Sequence, residues 1–391
     1  MFELFGFQSV ALVAFTMYEF YYDIILGGQY LFKITELHKQ YGPIIRINPH
    51  ELHVSDPDFY DTIYAGAGHR RNRDSWHTDG NGLESVVSSP DHDLHHNRRA
   101  ALPPFFFMAA TKKLLPLVEE PIPTLISRLA MLKNTGKPIN LYVFSAFSNN
   151  VITEYCFGRS EHWCEAERFN PSYYKANWQS INTAAFRTHF PLFPKFLLSL
   201  PECIAAHIPR RVDSLTAKKR YLRKLINETK NLCLDNKNAK ETIFHTLLTS
   251  DLPESEESIP RIIDKAILAL KEELHEAKEE KSDGSALSML ELEKLPYLTG
   301  CIKEGLRLSY GPSTRMPRVA PDETLTYKDW VIPAGTAVGI CTVVAHHDES
   351  ILPDSHTFKP ERWLGDNSRR LDKYLVQFGG GTRICLGINL A

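Results

Sequence analysis

A cysteine within a glycine-rich segment is the residue of this sequence with the clearest capacity for chemistry. The segment Phe378–Gly387 reads FGGGTRICLG, so Cys385 lies between a run of glycines and one further glycine. Glycines let the backbone approach a bound group closely, and N–H groups of a turn that leads into a helix can stabilise a thiolate. Cys385 could therefore bind a metal through its sulfur atom. Taken alone, a buried free cysteine in a glycine loop is the simpler interpretation.

Two charged motifs precede this segment in the chain. Lys303–Arg307 reads KEGLR, and on a helix Glu304 and Arg307 would share one face because they are three residues apart. Pro360–Trp363 reads PERW and adds Arg362. On their own, the glutamate and the first arginine could form an ordinary surface ion pair worth roughly 0.2–0.5 kcal/mol.

A stretch rich in histidine and arginine, Asp91–Arg99, reads DHDLHHNRR and is predicted to be helical. His92, His95 and His96 would lie on one face of that helix and could bind a metal. The adjacent arginines argue against this, because their charges would repel a cation. A solvated basic surface helix is an alternative, and contact with an anionic ligand is another.

The elements that must position these motifs are mainly helical. Residues 112–250 have helical patterning broken by proline-rich joints, and a charged helix is predicted over 268–281 after an acidic loop at 251–260. Pro296 opens a further helix, on which Leu298, Ile302 and Leu306 form a predicted apolar face.

Smaller β portions are predicted near both ends of the chain. Alternating apolar residues at 45, 47, 52 and 54 around a turn at 48–51 predict a hairpin. Residues 324–332 and 337–344 are predicted strands separated by a turn at 333–336, and residues 353–387 are irregular.

The bulk composition excludes several classes of protein. The formal net charge of -2 provides no field that would draw the chain to nucleic acid. The 7 cysteines are odd in number and scattered without a C-x-x-C pair, which argues against a disulfide framework and a structural zinc site. The apolar run at residues 5–17 is too short for a secure transmembrane helix and lacks the basic start of a signal peptide.

The three motifs in this order, E-x-x-R, P-E-R-W and F-x-x-G-x-R-x-C-x-G, resemble those of cytochrome P450 haem-thiolate monooxygenases. The resemblance extends over nearly the whole chain and is greatest to fungal members of secondary metabolism, of the trichodiene oxygenase type. It implies a mainly α fold with smaller β portions (α+β), which would be incomplete here. It also implies a short apolar segment at 1–17 followed by a single oxygenase domain over 18–391.

The resemblance implies a role for each residue of the motifs. Cys385 would be the catalytic residue and the ligand to the iron of haem b, and Glu304, Arg307 and Arg362 would form the structural core under the haem. The residues expected to bind the haem are His95, Arg99, Arg318, Phe378, Gly379, Arg383 and Gly387, with Arg315 as the second choice to Arg318. Arginine can neutralise a propionate, and an aromatic such as Phe378 can shield the sulfur from water.

The implied activity is insertion of one oxygen atom from O2 into an apolar small molecule, such as a terpenoid. Electrons would come from NADPH through a flavoprotein reductase, for which Arg369, Arg370 and Lys373 are candidate docking residues. Family members of this kind act at the cytosolic face of the endoplasmic reticulum membrane, so a membrane surface is a further expected partner, although the anchor looks incomplete here. No nucleic-acid partner is expected.

The chain departs from the family pattern in its middle and at its ends. The family's long central helix carries an acid and a threonine above the haem, but here residues 259–266 run almost directly into the charged helix. The sequence also ends six residues after Cys385, before the family's final β region. Three hypotheses therefore stay open: a monooxygenase, a catalytically impaired or non-catalytic fragment of one, and a haem-thiolate isomerase or dehydratase that needs no dioxygen.

Overall fold

The chain divides into two compact units. The first comprises residues 1–74 and 256–385, and the second comprises residues 75–255 and 386–391. The computed structural model describes residues 18–79, 89–100, 114–133, 142–157, 160, 162–166, 169, 184–190, 192–193, 196, 289–310 and 315–389. The apolar segment 1–17 and the elements predicted between 251 and 281 lie outside these residues.

Helices account for most of the regular structure in the described part of both units. In chain order they are α1 (Tyr18–Phe20), α2 (Tyr30–Tyr41), α3 (Tyr60–Ile63), α4 (Ser75–Asp79), α5 (His92–Arg99), α6 (Leu115–Glu119), α7 (Ile122–Leu132), α8 (Tyr142–Phe157), α9 (Ala184–His189), α10 (Met289–Leu292), α11 (Pro296–Ser309), α12 (Thr342–His346) and α13 (Asp366–Asp372). Within the described residues, a π-helical segment and four short 3-10 helices accompany them at Tyr21–Ile25, Pro57–Phe59, Pro360–Trp363, Gly381–Arg383 and Leu386–Asn389.

The strands of the described residues all belong to the first unit. They are β1 (Ile44–Asn48), β2 (Glu51–Val54), β3 (Asn72–Arg73), β4 (Arg318–Val319), β5 (Leu325–Tyr327), β6 (Trp330–Ile332) and β7 (Ala337–Gly339). One sheet has the order β1-β2-β7-β4-β3, in which only β2 and β7 run parallel, and β5 and β6 form a second sheet. A mainly helical structure with a smaller sheet portion confirms the predicted fold class.

The predicted hairpin at residues 45–54 is confirmed as β1 and β2, but its burial differs from the prediction. Every residue of both strands is buried, including the polar positions of the alternating pattern. Those polar groups find partners inside the unit. Arg46 donates to the carbonyl oxygens of Asn48 and Pro49, and Glu51 accepts from Arg315. Buried polar groups are tolerated when they are hydrogen-bonded in this way.

Two predictions for the region around residue 330 are wrong. The segment predicted as one strand is the β5–β6 hairpin, which turns at Lys328 with a φ of 52°. The end of the next predicted strand is α12 instead, although it contains Val343 and Val344. Tertiary contacts of its last residue, His346, override the β preference of the two valines.

The predicted apolar face of α11 is also wrong in part. Ile302 is 50% exposed, whereas Gly300, Glu304 and Arg307 are buried. A Cβ atom at Gly300 would lie 2.8 Å from the carbonyl oxygen of Pro360, so glycine is required for this close approach. The buried side of α11 therefore carries an ion-pair network in place of an apolar stripe.

The main core of the first unit connects the sheet with the segment that leads to Cys385. Leu52, Val338 and Ile340 pack in one cluster with Ile63 and with Val376, which is 6% exposed. Because Val376 lies two residues before Phe378, the glycine-rich segment begins directly at this core. Among the residues that the structure describes, we find no helix with the length and apolar character needed to cross a membrane.

Candidate functional site

The glycines before Cys385 adopt backbone conformations that other residues rarely reach. Gly379 has a φ of 74° and Gly381 a φ of 64°, in the left-handed region that favours glycine. The turn is closed by hydrogen bonds from the N–H of Gly379 to Val376 O at 2.9 Å and from the N–H of Cys385 to Phe378 O at 2.8 Å. The segment is therefore a defined turn that holds Cys385 in place.

The same turn packs directly on the backbone after α3. A Cβ atom at Gly381 would collide with the carbonyl oxygens of Tyr64 and Ala65, and one at Gly380 would lie 2.9 Å from Cε1 of Tyr60. The N–H of residue 382 also donates to Ala65 O at 3.3 Å. Each of the two glycines is thus needed because the segment and the α3 region meet without room for a side chain.

The thiol of Cys385 is exposed and belongs to no disulfide. Cys164 and Cys341 are buried, and burial raises the pKa of both thiols, that of Cys164 to about 11. A buried thiol with a raised pKa is a poor metal ligand because the thiolate is the ligating form. Of the free cysteines in the described part of the chain, Cys385 is the one that offers an accessible sulfur atom at a preformed turn.

Two arginines, buried Arg318 and half-buried Arg73, form a cationic pair across strands β3 and β4. Arg73 and Arg318 are partners in the strand register, and Arg318 is 6% exposed. Burial, together with a smaller effect of the neighbouring charge of Arg318, lowers the pKa of Arg73 to about 10, against a raising effect of Asp74. Arg318 donates to Met316 O at 2.7 Å and lies over the ring of Tyr64, and it forms no salt bridge within the described residues.

This pair fits an anionic group such as a haem propionate. Two neighbouring guanidinium groups in a desolvated place repel each other, and a carboxylate between them would offset that repulsion. The resemblance predicts that Arg318 contacts a propionate, whereas the sequence does not point to Arg73. The local sequence around Arg73, Asn-Arg-Asp, has no distinguishing pattern. Only the register of β3 with β4 brings Arg73 next to Arg318.

Arg383 connects the glycine-rich turn to the same strand. Its Nε atom donates to the carbonyl oxygen of Arg71 at 3.3 Å, two residues before Arg73. Arg71 is itself buried and donates to the carbonyl oxygens of Ile63 and Thr62 and to Glu323. The structure therefore brings the predicted residue Arg383 to the residue directly before β3, the strand that also carries one arginine of the cationic pair.

The ion pairs of Arg315 argue against this residue, the second choice for a propionate ligand. Arg315 is buried and forms ion pairs with Glu19 at 2.5 Å and with Glu51 at 3.0 Å, and Asn48 bonds to both carboxylates. Burial acts to lower the pKa of Arg315, but the two carboxylates outweigh it and raise that pKa well above its usual value. Because two carboxylates already occupy this guanidinium, it is a structural cation.

Glu304, Arg307 and Arg362 meet in a buried network. Glu304 accepts from Arg307 Nη2 and Nε at 2.8 and 2.9 Å and from Arg362 Nε at 3.1 Å. It also accepts from Trp363 Nε1 at 2.8 Å and from the N–H of Lys359 at 3.0 Å. Arg307 and Glu304 are both fully buried, which excludes the interpretation as a surface ion pair.

The hydrogen bonds of this network keep Glu304 ionised. Burial raises the pKa of its carboxyl group, but hydrogen bonds and charge from Arg307 together with the bond from Trp363 outweigh burial and hold the pKa below its usual value. The indole of Trp363 and the backbone of Lys359 belong to the P-E-R-W region, but their roles as donors were not anticipated. Only the tertiary fold shows which of their groups reach Glu304.

The remaining predicted residues lie in both units. In the second unit, α5 begins at the N-cap Asp91, whose side chain accepts from the N–H of Leu94, and it carries buried His95 and half-buried Arg99 one turn apart. Gly387 lies in the 3-10 turn Leu386–Asn389. The haem-binding roles of these residues stay predictions.

The alternative of a histidine metal site on α5 is not supported. Within the described residues, His92, His95 and His96 do not bring their ring nitrogens within 4.8 Å of one another. His96 is exposed and Arg98 donates to Ser89 Oγ at 2.7 Å. The helix therefore has a partly packed side, which also argues against a fully solvated surface helix.

Comparisons with known proteins identify the family. The family model described as cytochrome P450 matches residues 18–270 and 264–391, so this chain belongs to the cytochrome P450 family. Members of the family bind haem and receive electrons from a redox partner, and the predicted family is confirmed.

Several fungal proteins of this family are similar to the chain over almost its whole length. Cytochrome P450 monooxygenase tpcC of Cochliobolus heterostrophus is 37% identical, over 98% of this chain and 80% of that protein. Cytochrome P450 monooxygenase MO6277 of Ascocoryne sarcoides is 36% identical, over 96% and 81%. Conidiogenone synthase PchP450 of Penicillium rubens is 34% identical, over 98% and 83%.

The family match is interrupted within the chain. It consists of two segments that overlap at residues 264–270, where the sequence predicts the loss of the central helix. The alignment with tpcC extends over 424 positions, which exceeds the 391 residues of this chain. That relative therefore contains residues within the aligned range that have no counterpart here.

Proposed function

We propose that this chain binds haem b through the thiolate of Cys385 and acts as a monooxygenase on an apolar small molecule. The observation that carries the proposal is the exposed thiol at the end of a glycine turn that is built onto the core of the first unit. Haem iron held by a thiolate supplies dioxygen activation. A secondary metabolite such as a terpenoid is the proposed substrate class, and the name of one relative, conidiogenone synthase, supports a biosynthetic role.

The first test is the reduced carbon monoxide difference spectrum of the purified chain. We expect the absorption band typical of a thiolate-bound haem, because the ligand turn is intact. Turnover of a terpenoid panel should then require dioxygen, NADPH and a flavoprotein reductase. A purified chain that retains no haem after reconstitution would contradict the proposal.

A second candidate is a catalytically impaired form of such an enzyme. The division of the family match at residues 264–270 favours it, because the sequence predicts that the helix expected to supply an acid and a threonine is lost at this place. This form would show the thiolate band but no product, whereas coupled NADPH use with product formation would exclude it.

The cationic pair gives a prediction about haem affinity. Replacing Arg318 with methionine should weaken haem binding roughly 10- to 150-fold, because a hydrogen bond to a charged group contributes about 1.5–3 kcal/mol. The apoprotein should unfold at the same or a higher denaturant concentration, because repulsion with Arg73 is removed. Haem transfer to apomyoglobin measures the first quantity and urea unfolding the second.

The matched control is Arg70→Met, because Arg70 is exposed and pairs with Asp322 at the surface. That variant should keep the wild-type haem affinity. If Arg318→Met destabilised the apoprotein and left haem affinity unchanged, Arg318 would be a structural residue.

Reductase docking is proposed at α13, just before the ligand turn. Arg369 and Arg370 are exposed and form no ion pair among the described residues, whereas Lys373 pairs with Asp58 at 2.9 Å. The two arginines are therefore the better candidates of the three. Docking at the cytosolic face of the endoplasmic reticulum membrane is part of the same proposal.

Reversing the charge of Arg369 should slow electron transfer from the reductase roughly tenfold at low salt, because opposite charges speed encounter. The difference from wild type should shrink as salt increases. Stopped-flow reduction under carbon monoxide measures the rate. The matched control is Lys39→Glu, which makes the same charge change at an exposed position of α2; equal slowing by both variants would refute the docking site.

A further inference from the structure

A fully buried histidine on α12 forms reciprocal hydrogen bonds with α11. The Nδ1 atom of His346 lies 2.8 Å from the carbonyl oxygen of Arg307, and Arg307 Nη1 donates to the carbonyl oxygen of His346 at 2.9 Å. The Arg307 carbonyl is in the last turn of α11, and carbonyl oxygens in the last turn of a helix receive no hydrogen bond from the helix itself. His346 therefore completes the end of the helix that carries the Glu304 network.

The opposite edge of the same ring reaches the segment before Cys385. The N–H of Val376 donates to His346 Nε2 at 3.1 Å. The carbonyl oxygen of Val376 in turn accepts from the N–H of Gly379 and so closes the first part of the glycine turn. One imidazole thus joins the end of α11 to the residue from which the ligand turn starts.

The two partners determine the tautomer of this ring. A carbonyl oxygen can only accept, so Nδ1 carries the proton, and a backbone N–H can only donate, so Nε2 is unprotonated. Burial, with a smaller effect of the Arg307 charge, lowers the pKa of His346 to about 3, against a raising effect of its bond to Arg307 O. The ring is therefore neutral at physiological pH and keeps both bonds.

We infer that His346 is a positioning residue that couples the Glu304 network to the turn holding Cys385, and so holds the sulfur in its ligating position. This inference rests on the proposed haem-thiolate function. His346 touches neither haem nor substrate in this role. It acts through Val376, whose side chain is in the core cluster of the first unit.

Two substitutions separate the two edges of the ring. His346→Gln places an amide oxygen near the position of Nε2 and can still accept from Val376, whereas His346→Asn places an amide N–H near Nδ1 and can still donate to Arg307 O. If His346 merely fills the core, the two variants should differ in overall stability, because asparagine is smaller than glutamine, and not in the ligand turn alone. A positioning residue should tolerate glutamine better than asparagine.

We expect amide hydrogen exchange of the peptide covering residues 376–385 to be roughly tenfold faster in His346→Asn than in wild type, and near wild type in His346→Gln. In haem-loaded protein, the thiolate-type band of the carbon monoxide spectrum should disappear faster in the asparagine variant than in the glutamine variant. Both variants should have similar unfolding midpoints.

The neighbouring residue supplies the control. His347 is half-buried, bonds to Tyr310 and Ser355, and makes no bond to the ligand turn, so His347→Asn should leave exchange at 376–385 unchanged. Equal exchange in the two His346 variants, or wild-type exchange in His346→Asn, overturns the inference. If wild-type protein binds no haem, the proposed function fails, but the exchange comparison still decides whether His346 positions the turn.

Discussion

Replacing Glu304 with glutamine is expected to lower the free energy of unfolding by about 3–5 kcal/mol, the cost of breaking a buried ion pair. The variant leaves Arg307 and Arg362 next to a neutral amide, one end of which is a donor that faces other donors. Urea unfolding followed by circular dichroism measures the loss. The matched control is Glu361→Gln, since Glu361 is exposed and should change stability by less than about 0.5 kcal/mol.

The pH dependence of stability provides an independent check on Glu304. Its pKa is lowered in the folded state, so its contribution is fully present above the unfolded pKa, near 4.5, and is lost as pH falls through the folded pKa. The stability difference between wild type and Glu304→Gln should therefore be constant at neutral pH and shrink in acid below about pH 4.5. A difference that stays constant to low pH would show that Glu304 is not the ionised centre of the network.

Replacing Cys385 with alanine is expected to abolish the thiolate-type carbon monoxide band and reduce product formation to background. The reason is that the exposed sulfur is the proposed ligand to haem iron. Stability of the haem-free protein should change by less than about 0.5 kcal/mol, because the lost atom is at the surface. The spectrum, product analysis and urea unfolding of the haem-free protein test the three expectations.

A second thiol makes this experiment specific. Cys301 is half-buried on α11 in the same unit, and Cys301→Ala should keep the band and the activity. A band that survives in Cys385→Ala would assign the ligand to another residue. A band lost in both variants would point to general damage instead of loss of the ligand.

These two predictions concern opposite ends of one connected arrangement. Glu304 holds Arg307, Arg307 and His346 bond reciprocally, and His346 bonds to Val376, from which the turn to Cys385 begins. Substitution of Glu304 should therefore disturb the turn at Cys385 and weaken haem retention. Substitution of Cys385 should leave the Glu304 network intact. The test measures two quantities: haem retention, which should fall in Glu304→Gln, and the stability of the haem-free protein, which should stay unchanged in Cys385→Ala.

The amino-acid sequence by itself determined the ligand candidate, the motif order and the presence of α11. These features follow from residues that are close together in the sequence. Three glycines before Cys385 favour an unusual turn. Glu304 and Arg307 share a face because a helix brings together residues three apart. Pro296 likewise marks the start of α11 locally, since proline suits the first turn of a helix.

Only the tertiary structure decided which arginine pairs with carboxylates and which lies beside a second arginine. Arg315 and Arg318 are three residues apart, and the family resemblance puts Arg318 first and Arg315 second as a propionate ligand. Sheet register and the N-terminal helix bring Glu19 and Glu51 to the first, whereas the register of β4 brings Arg73 to the second. These ion-pair and strand partners are hundreds of residues apart in the sequence. Packing and the need to satisfy buried hydrogen-bonding groups bring them together in the folded chain, so no local sequence pattern predicts them.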